Sequence, residues 1–129
     1  MSETSGAIYH PCVGLAGAPF SEAVQVGDLL FLSGQIGLDA TGELVPGGIV
    51  AETRQTMTNI ATVLERHRSS VDRIVKVTVL MADMQEWTAM NAEYVKFFAR
   101  HLPARSAFGV SGLAMGARVE IECLALAPG

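Results

Sequence analysis

Apolar and polar positions change period several times along the 129 residues, and each change marks an element. Ala23-Val24-Gln25-Val26 and Leu29-Leu30-Phe31-Leu32-Ser33 flank Gly27-Asp28, which predicts two strands joined by a two-residue turn. The second strand is nearly all apolar, as expected of a central one. Residues 34–48 carry Gly37, Gly42, Pro46, Gly47 and Gly48, the composition of a loop able to border a pocket. Over residues 50–67, Met57, Ile60, Ala61 and Leu64 recur at helical spacing with Thr53 one turn earlier, predicting an amphipathic helix. Residues 73–81 alternate: Val75, Val77, Val79 and Met81 are assigned to one face of a strand, Lys76 and Thr78 to the other. Asp83 with Glu86 resembles a capping box, and Trp87, Met90, Tyr94 and Phe97 follow at spacings of three and four, predicting a second helix that stops before Pro103. Strands over 106–110 and 118–126 close the chain, and residues 1–20 are expected to be extended or irregular.

The order is therefore ββαβαββ in one domain, 1–129, an α+β layer whose two helices cover one face of a mixed sheet. With no helix left for the other face, a neighbouring subunit is its natural cover. Composition agrees, since 50% apolar against 17% charged residues is rich for a small monomer. The 9 basic and 13 acidic residues, net −4, argue against a nucleic-acid surface, which needs a basic stripe. An anion would have to be held by individually placed arginines. The opening Met1-Ser2-Glu3-Thr4-Ser5-Gly6 has neither a positive start nor an apolar core, and no run is long enough to span a bilayer, so no membrane partner and a cytoplasmic location are expected. Cys12 and Cys123 form no disulfide framework or zinc spacing, and His10, His67 and His101 match no metal-ligand set.

Candidate chemistry sits near the C-terminus. Pro103-Ala104-Arg105-Ser106 places a permanent cation, the best side chain for holding a planar carboxylate, shortly before Glu120, a group able to handle a proton or a water. Both have plainer readings: Arg105 as a surface ion-pair partner, and Glu120 with Glu122 as the polar face of a half-buried strand. Ser33 has no triad partners around it and reads as a strand-end hydroxyl rather than a nucleophile.

Ser33-Gly34-Gln35-Ile36, Asn91-Ala92-Glu93-Tyr94 with Phe97-Phe98, Pro103-Ala104-Arg105-Ser106 and Val119-Glu120-Ile121-Glu122 together resemble the RidA (YjgF/UK114) family, over nearly the whole chain from Phe20 onward. The resemblance implies a chorismate-mutase-like (ferredoxin-like) fold assembled as a homotrimer with clefts between subunits. It also implies deamination of reactive enamines and imines, such as 2-aminoacrylate, 2-iminopropanoate and 2-iminobutanoate, to 2-oxo acids and ammonia, with no metal or organic cofactor. By the same resemblance Arg105 would clamp the carboxylate and Glu120 would manage the attacking water. Phe20, Ser33, Gly34, Asn91 and Ala107 would line the cleft, with Tyr94 in support. Two positions depart from the family pattern: Phe20 stands where a tyrosine is usual and Ala107 where a cysteine is, which makes the pocket less polar and points to a bulkier or more apolar substrate. A trimeric sensor of small carboxylates, and a ribonuclease or translation inhibitor, are the competing readings, the latter disfavoured by the acidic balance.

Overall fold

A computed structural model describes residues 6–128. Strands β1 (Ala7–Pro11), β2 (Ser21–Val26), β3 (Leu29–Gln35), β4 (Ile74–Met81), β5 (Ala104–Gly109) and β6 (Val119–Leu126) form one sheet in the order β1-β2-β3-β6-β4-β5. Every pairing is antiparallel except β4 with β5. Helices α1 (Gly48–Arg66) and α2 (Trp87–Tyr94) pack on each other, and α1 packs on the sheet through β3 and β6. Among the described residues no helix is long and apolar enough to cross a membrane.

The predicted hairpin closes at Gly27-Asp28, with Val26 opposite Leu29 and Gly27 at φ 57°, a conformation that glycine adopts without strain. Inward residues of the sheet (Leu30, Leu32, Val77, Val79, Met81, Val119, Ile121, Cys123) meet Met57, Ile60 and Leu64 of α1 and Met90 of α2, all buried. Each large apolar side chain so buried contributes about 1.5–3 kcal/mol, which is why the two periodicities in the sequence identify these elements. Burial also pushes the Cys123 thiol up to about 12, leaving it an inert core residue.

Four details differ from the sequence expectation. The segment 1–20 contains strand β1 over Ala7–Pro11, an edge strand whose partner is β2; residues 1–5 lie outside the described part. A register shift between Ile74 and Lys76 turns Ile74 into the core and leaves Val75 exposed, so Val75 does not share a face with Val77. The capping box is half formed: Asp83 accepts from the Gln85 amide at 2.9 Å, while Glu86 accepts from Arg118 at 2.9 Å instead of reaching back. Finally, α2 ends at Tyr94 and continues over Val95–Phe97 as a 3-10 turn.

The face of the sheet away from the helices is uncovered. Register places Val24, Phe31, Leu124 and Lys76 in one row across it, and Phe108, Leu80 and Glu120 in another. Phe31 and Phe108 are 41% and 49% exposed, large rings in contact with solvent.

Candidate active site

Arg105 lies on edge strand β5, opposite Val77, and Val77 is in the core. Residues directly opposite in a ladder share a sheet face, so Arg105 points to the helix side. There its guanidinium carbon stands 5.1 Å from the Trp87 ring centre and 4.9 Å from that of Tyr94. Trp87 and Tyr94 are seven residues apart on α2, two helical turns, and so present their rings along one stripe. A hollow of about 250 Å³ opens beside the guanidinium, lined by Arg105, Asn91, Tyr94, Val95, Leu102 and Pro103. Among the described residues no carboxylate pairs with Arg105. Asn91 Oδ1 is buried in the wall without a hydrogen-bond partner, and the buried Tyr94 Oη has the Arg105 guanidinium as its polar neighbour. Burial pushes the Tyr94 phenol up, against the opposing pull of Arg105, so it stays neutral at physiological pH. A guanidinium with no carboxylate partner, open to a hollow, can take a planar carboxylate through two parallel N–H donors.

Glu120 lies elsewhere. Its register partner is Leu80, which shares a row with Phe108, so its side chain leaves the opposite face of the sheet, two strands over from Arg105. Its carboxylate lies over Gly34, where any Cβ would collide with Glu120 Oε2 and come within 2.9 Å of Cδ. A side chain at this position would therefore force the Glu120 carboxylate to move. Burial first and the Glu122 charge second raise the Glu120 pKa above the usual carboxylate range. The carboxylate lines a groove of about 720 Å³ shared with Phe20, Leu15 and Met115, which are 51%, 53% and 61% exposed.

The predicted residues therefore divide into two half-sites: Arg105 with Asn91 in the hollow, Glu120 with Gly34 and Phe20 in the groove. Within one chain Arg105 and Glu120 do not face each other, because their register parities are opposite. Ser33 stands beside Gly34, but its hydroxyl donates to the Ser21 carbonyl at 2.6 Å, fastening β3 to β2. Ala107 shares the inward face of β5 with Arg105 and packs against the core. As β5 is the sheet edge, half its backbone groups remain open to a ligand or a second chain.

Two features escaped sequence reasoning. Trp87 and Tyr94 read as core residues, and only the placement of β5 above α2 reveals their contact with Arg105. Glu22, in an ordinary strand pattern, is buried on the floor of the groove. It accepts from His67 at 2.7 Å, Arg66 at 3.3 Å and the Val13 amide at 3.3 Å, tying β2 and the segment before it to the end of α1.

The family model described as Endoribonuclease L-PSP matches residues 14–127. A mouse protein named 2-iminobutanoate/2-iminopropanoate deaminase is 44% identical over 109 residues, covering 84% of this chain and 81% of its own. The crystal structure of the yeast protein YEO7 superposes with a TM-score of 0.89 at 38% identity, over 95% of this chain and 99% of that one. RidA from an Antarctic Psychrobacter superposes with a TM-score of 0.81 at 32% identity, over 92% and 94%. With its motifs, its sheet order and these relatives in agreement, the chain belongs to the Endoribonuclease L-PSP family, the RidA/YjgF group.

Proposed function

We propose that this protein is a 2-imino acid deaminase, converting 2-iminopropanoate, 2-iminobutanoate or a bulkier relative to the 2-oxo acid and ammonia, in a cleft between two copies of the chain. The observation that carries the reading is the unpaired Arg105 guanidinium, held over two rings and open to a hollow. Relatives named 2-iminobutanoate/2-iminopropanoate deaminase supply the reaction class. The opposed faces of Arg105 and Glu120, with exposed Phe31 and Phe108 on the bare side, favour a homotrimer in which the hollow of one copy meets the groove of the next. We place the protein in the cytoplasm, where its free Cys12 and Cys123 thiols stay reduced.

In that cleft Arg105 grips the substrate carboxylate through two parallel N–H donors and fixes the imine carbon near Glu120. An enamine first takes a proton on its β-carbon to become the iminium. Water then adds to the iminium carbon as one of its protons passes to Glu120, and the C=N electron pair moves to nitrogen to give a carbinolamine. Glu120 returns that proton to nitrogen. The C–N bond breaks, ammonia leaves, and the hydroxyl loses its proton as C=O forms. The raised pKa of Glu120 suits a group that must both take and return a proton near neutral pH. The chemistry asks for positioning and one proton-transfer group, and neither a metal nor an organic cofactor enters a step.

The test is ammonia release, or trapping of the imine as semicarbazone, with 2-aminoacrylate generated in situ. Accelerated loss of the trapped species with matching ammonia is expected. Binding of 2-oxobutanoate with no acceleration would instead make the protein a carboxylate sensor.

A further inference from the structure

A guanidinium on an edge strand at the mouth of a hollow has many rotamers and no ion pair to select one, yet an anion clamp works only if its fork is already aimed. Here the head of Arg105 is engaged by the Trp87 and Tyr94 rings, at 5.1 and 4.9 Å from the guanidinium carbon, and by the Tyr94 hydroxyl. Trp87 is partly buried against the core and Tyr94 is 5% exposed, so both rings are themselves immobile. The Tyr94 hydroxyl also lies toward Arg105, whereas Trp87 can offer the cation only a π face.

We propose that Trp87 and Tyr94 are positioning residues, a two-ring cradle that holds Arg105 in its carboxylate-binding pose before ligand arrives. The cradle deepens the deaminase reading, since it acts on ligand capture at that same site. A cradle of this kind governs affinity and leaves the bond-making steps to other groups. Its loss therefore appears in binding and KM far more than in kcat. Arginine is also required rather than lysine, because a compact ammonium gains less from two ring faces and cannot present the planar fork.

The experiment is calorimetric titration of the full-length protein with 2-oxobutanoate, which reads binding whether or not the protein turns over an imine. A protein that binds 2-oxobutanoate but hydrolyses nothing sinks the deaminase reading and leaves the cradle intact. Tyr94→Leu and Trp87→Leu are each expected to weaken binding about three- to thirtyfold, the size of a partly desolvated cation–π contact. In turnover KM should rise by a similar factor while kcat stays near the parent value. Tyr94→Phe and Trp87→Phe keep a ring and restore most of the affinity; a loss in Tyr94→Phe as large as in Tyr94→Leu would assign the hold to the hydroxyl and overturn the ring cradle. Unchanged affinity in the folded leucine variants, or a fall in kcat at constant KM, overturns the cradle. If the leucine variants do not fold, fluorinated tryptophan at Trp87 decides, since fluorine weakens the π face with little change of shape: affinity equal to the parent refutes the cradle, and a loss that grows with fluorine count upholds it.

Discussion

The Arg105 hollow and the Glu120 groove are built differently. The hollow is made by secondary structure already packed: α2 supplies two rings and an orphaned amide, and β5 supplies the cation. The groove is walled by apolar residues left in solvent, among them Phe20, Leu15 and Met115, on a chain whose far sheet face is also bare. On the proposed reading the first is an anion receptor within one chain and the second is half of a cleft completed by a neighbouring copy. A site divided as proposed would couple activity to assembly, because Arg105 and Glu120 lie in different half-sites.

Breaking the Arg105 half gives the largest effect. Arg105→Ala removes a charge-assisted bidentate contact of about 2–4 kcal/mol, so kcat/KM should fall roughly 30- to 1000-fold in steady-state assays. A loss under about threefold contradicts the clamp. Next comes Gly34→Ala on the groove side. Its Cβ evicts the Glu120 carboxylate, and a displacement of that size should lower kcat by about a hundredfold while KM moves little. Retained kcat would show that Glu120 does not need its present position.

A pH profile sharpens the contrast. Glu120 must be ionised to accept a proton from water, and burial and Glu122 raise its pKa, so the acid limb of kcat/KM should lie above the ordinary carboxylate range. Removing the like charge with Glu122→Gln favours ionisation of Glu120 and moves that limb to lower pH; an unmoved limb assigns the titration to another group. The smallest effect is expected from Ser33→Ala. Losing the hydrogen bond to the Ser21 carbonyl should cost about 1 kcal/mol in denaturant unfolding and leave kcat/KM near the parent value.

Much of this was legible in the chain, for identifiable reasons. The hairpin at Gly27-Asp28, α1 and the inward rows of β4 and β6 follow from periodicity, because burial of Leu30, Met57, Val77 and Ile121 gives those periods their meaning. Strand β1 was not legible, since an edge strand holding Pro11 owes its form to pairing with β2. Nor was the outward turn of Val75, where a register shift breaks an alternation that runs on without interruption in the sequence. The motifs named Arg105 and Glu120 but not their opposite faces: that parity depends on which residues β4 aligns with on each side, a tertiary property. For the same reason the sequence did not show that Trp87 and Tyr94 meet Arg105.

Hybrid assembly tests the divided site most directly. Arg105→Ala and Glu120→Gln chains, each expected to be nearly inactive alone, are unfolded together, refolded at equal concentration and assayed. If each site takes Arg105 from one copy and Glu120 from its neighbour, random mixing in a closed ring restores both groups at about a quarter of the interfaces, and activity should recover to about that fraction of the parent. No recovery from properly mixed trimers would mean that both groups serve one site within a single chain, contrary to the opposite faces on which the two half-sites stand.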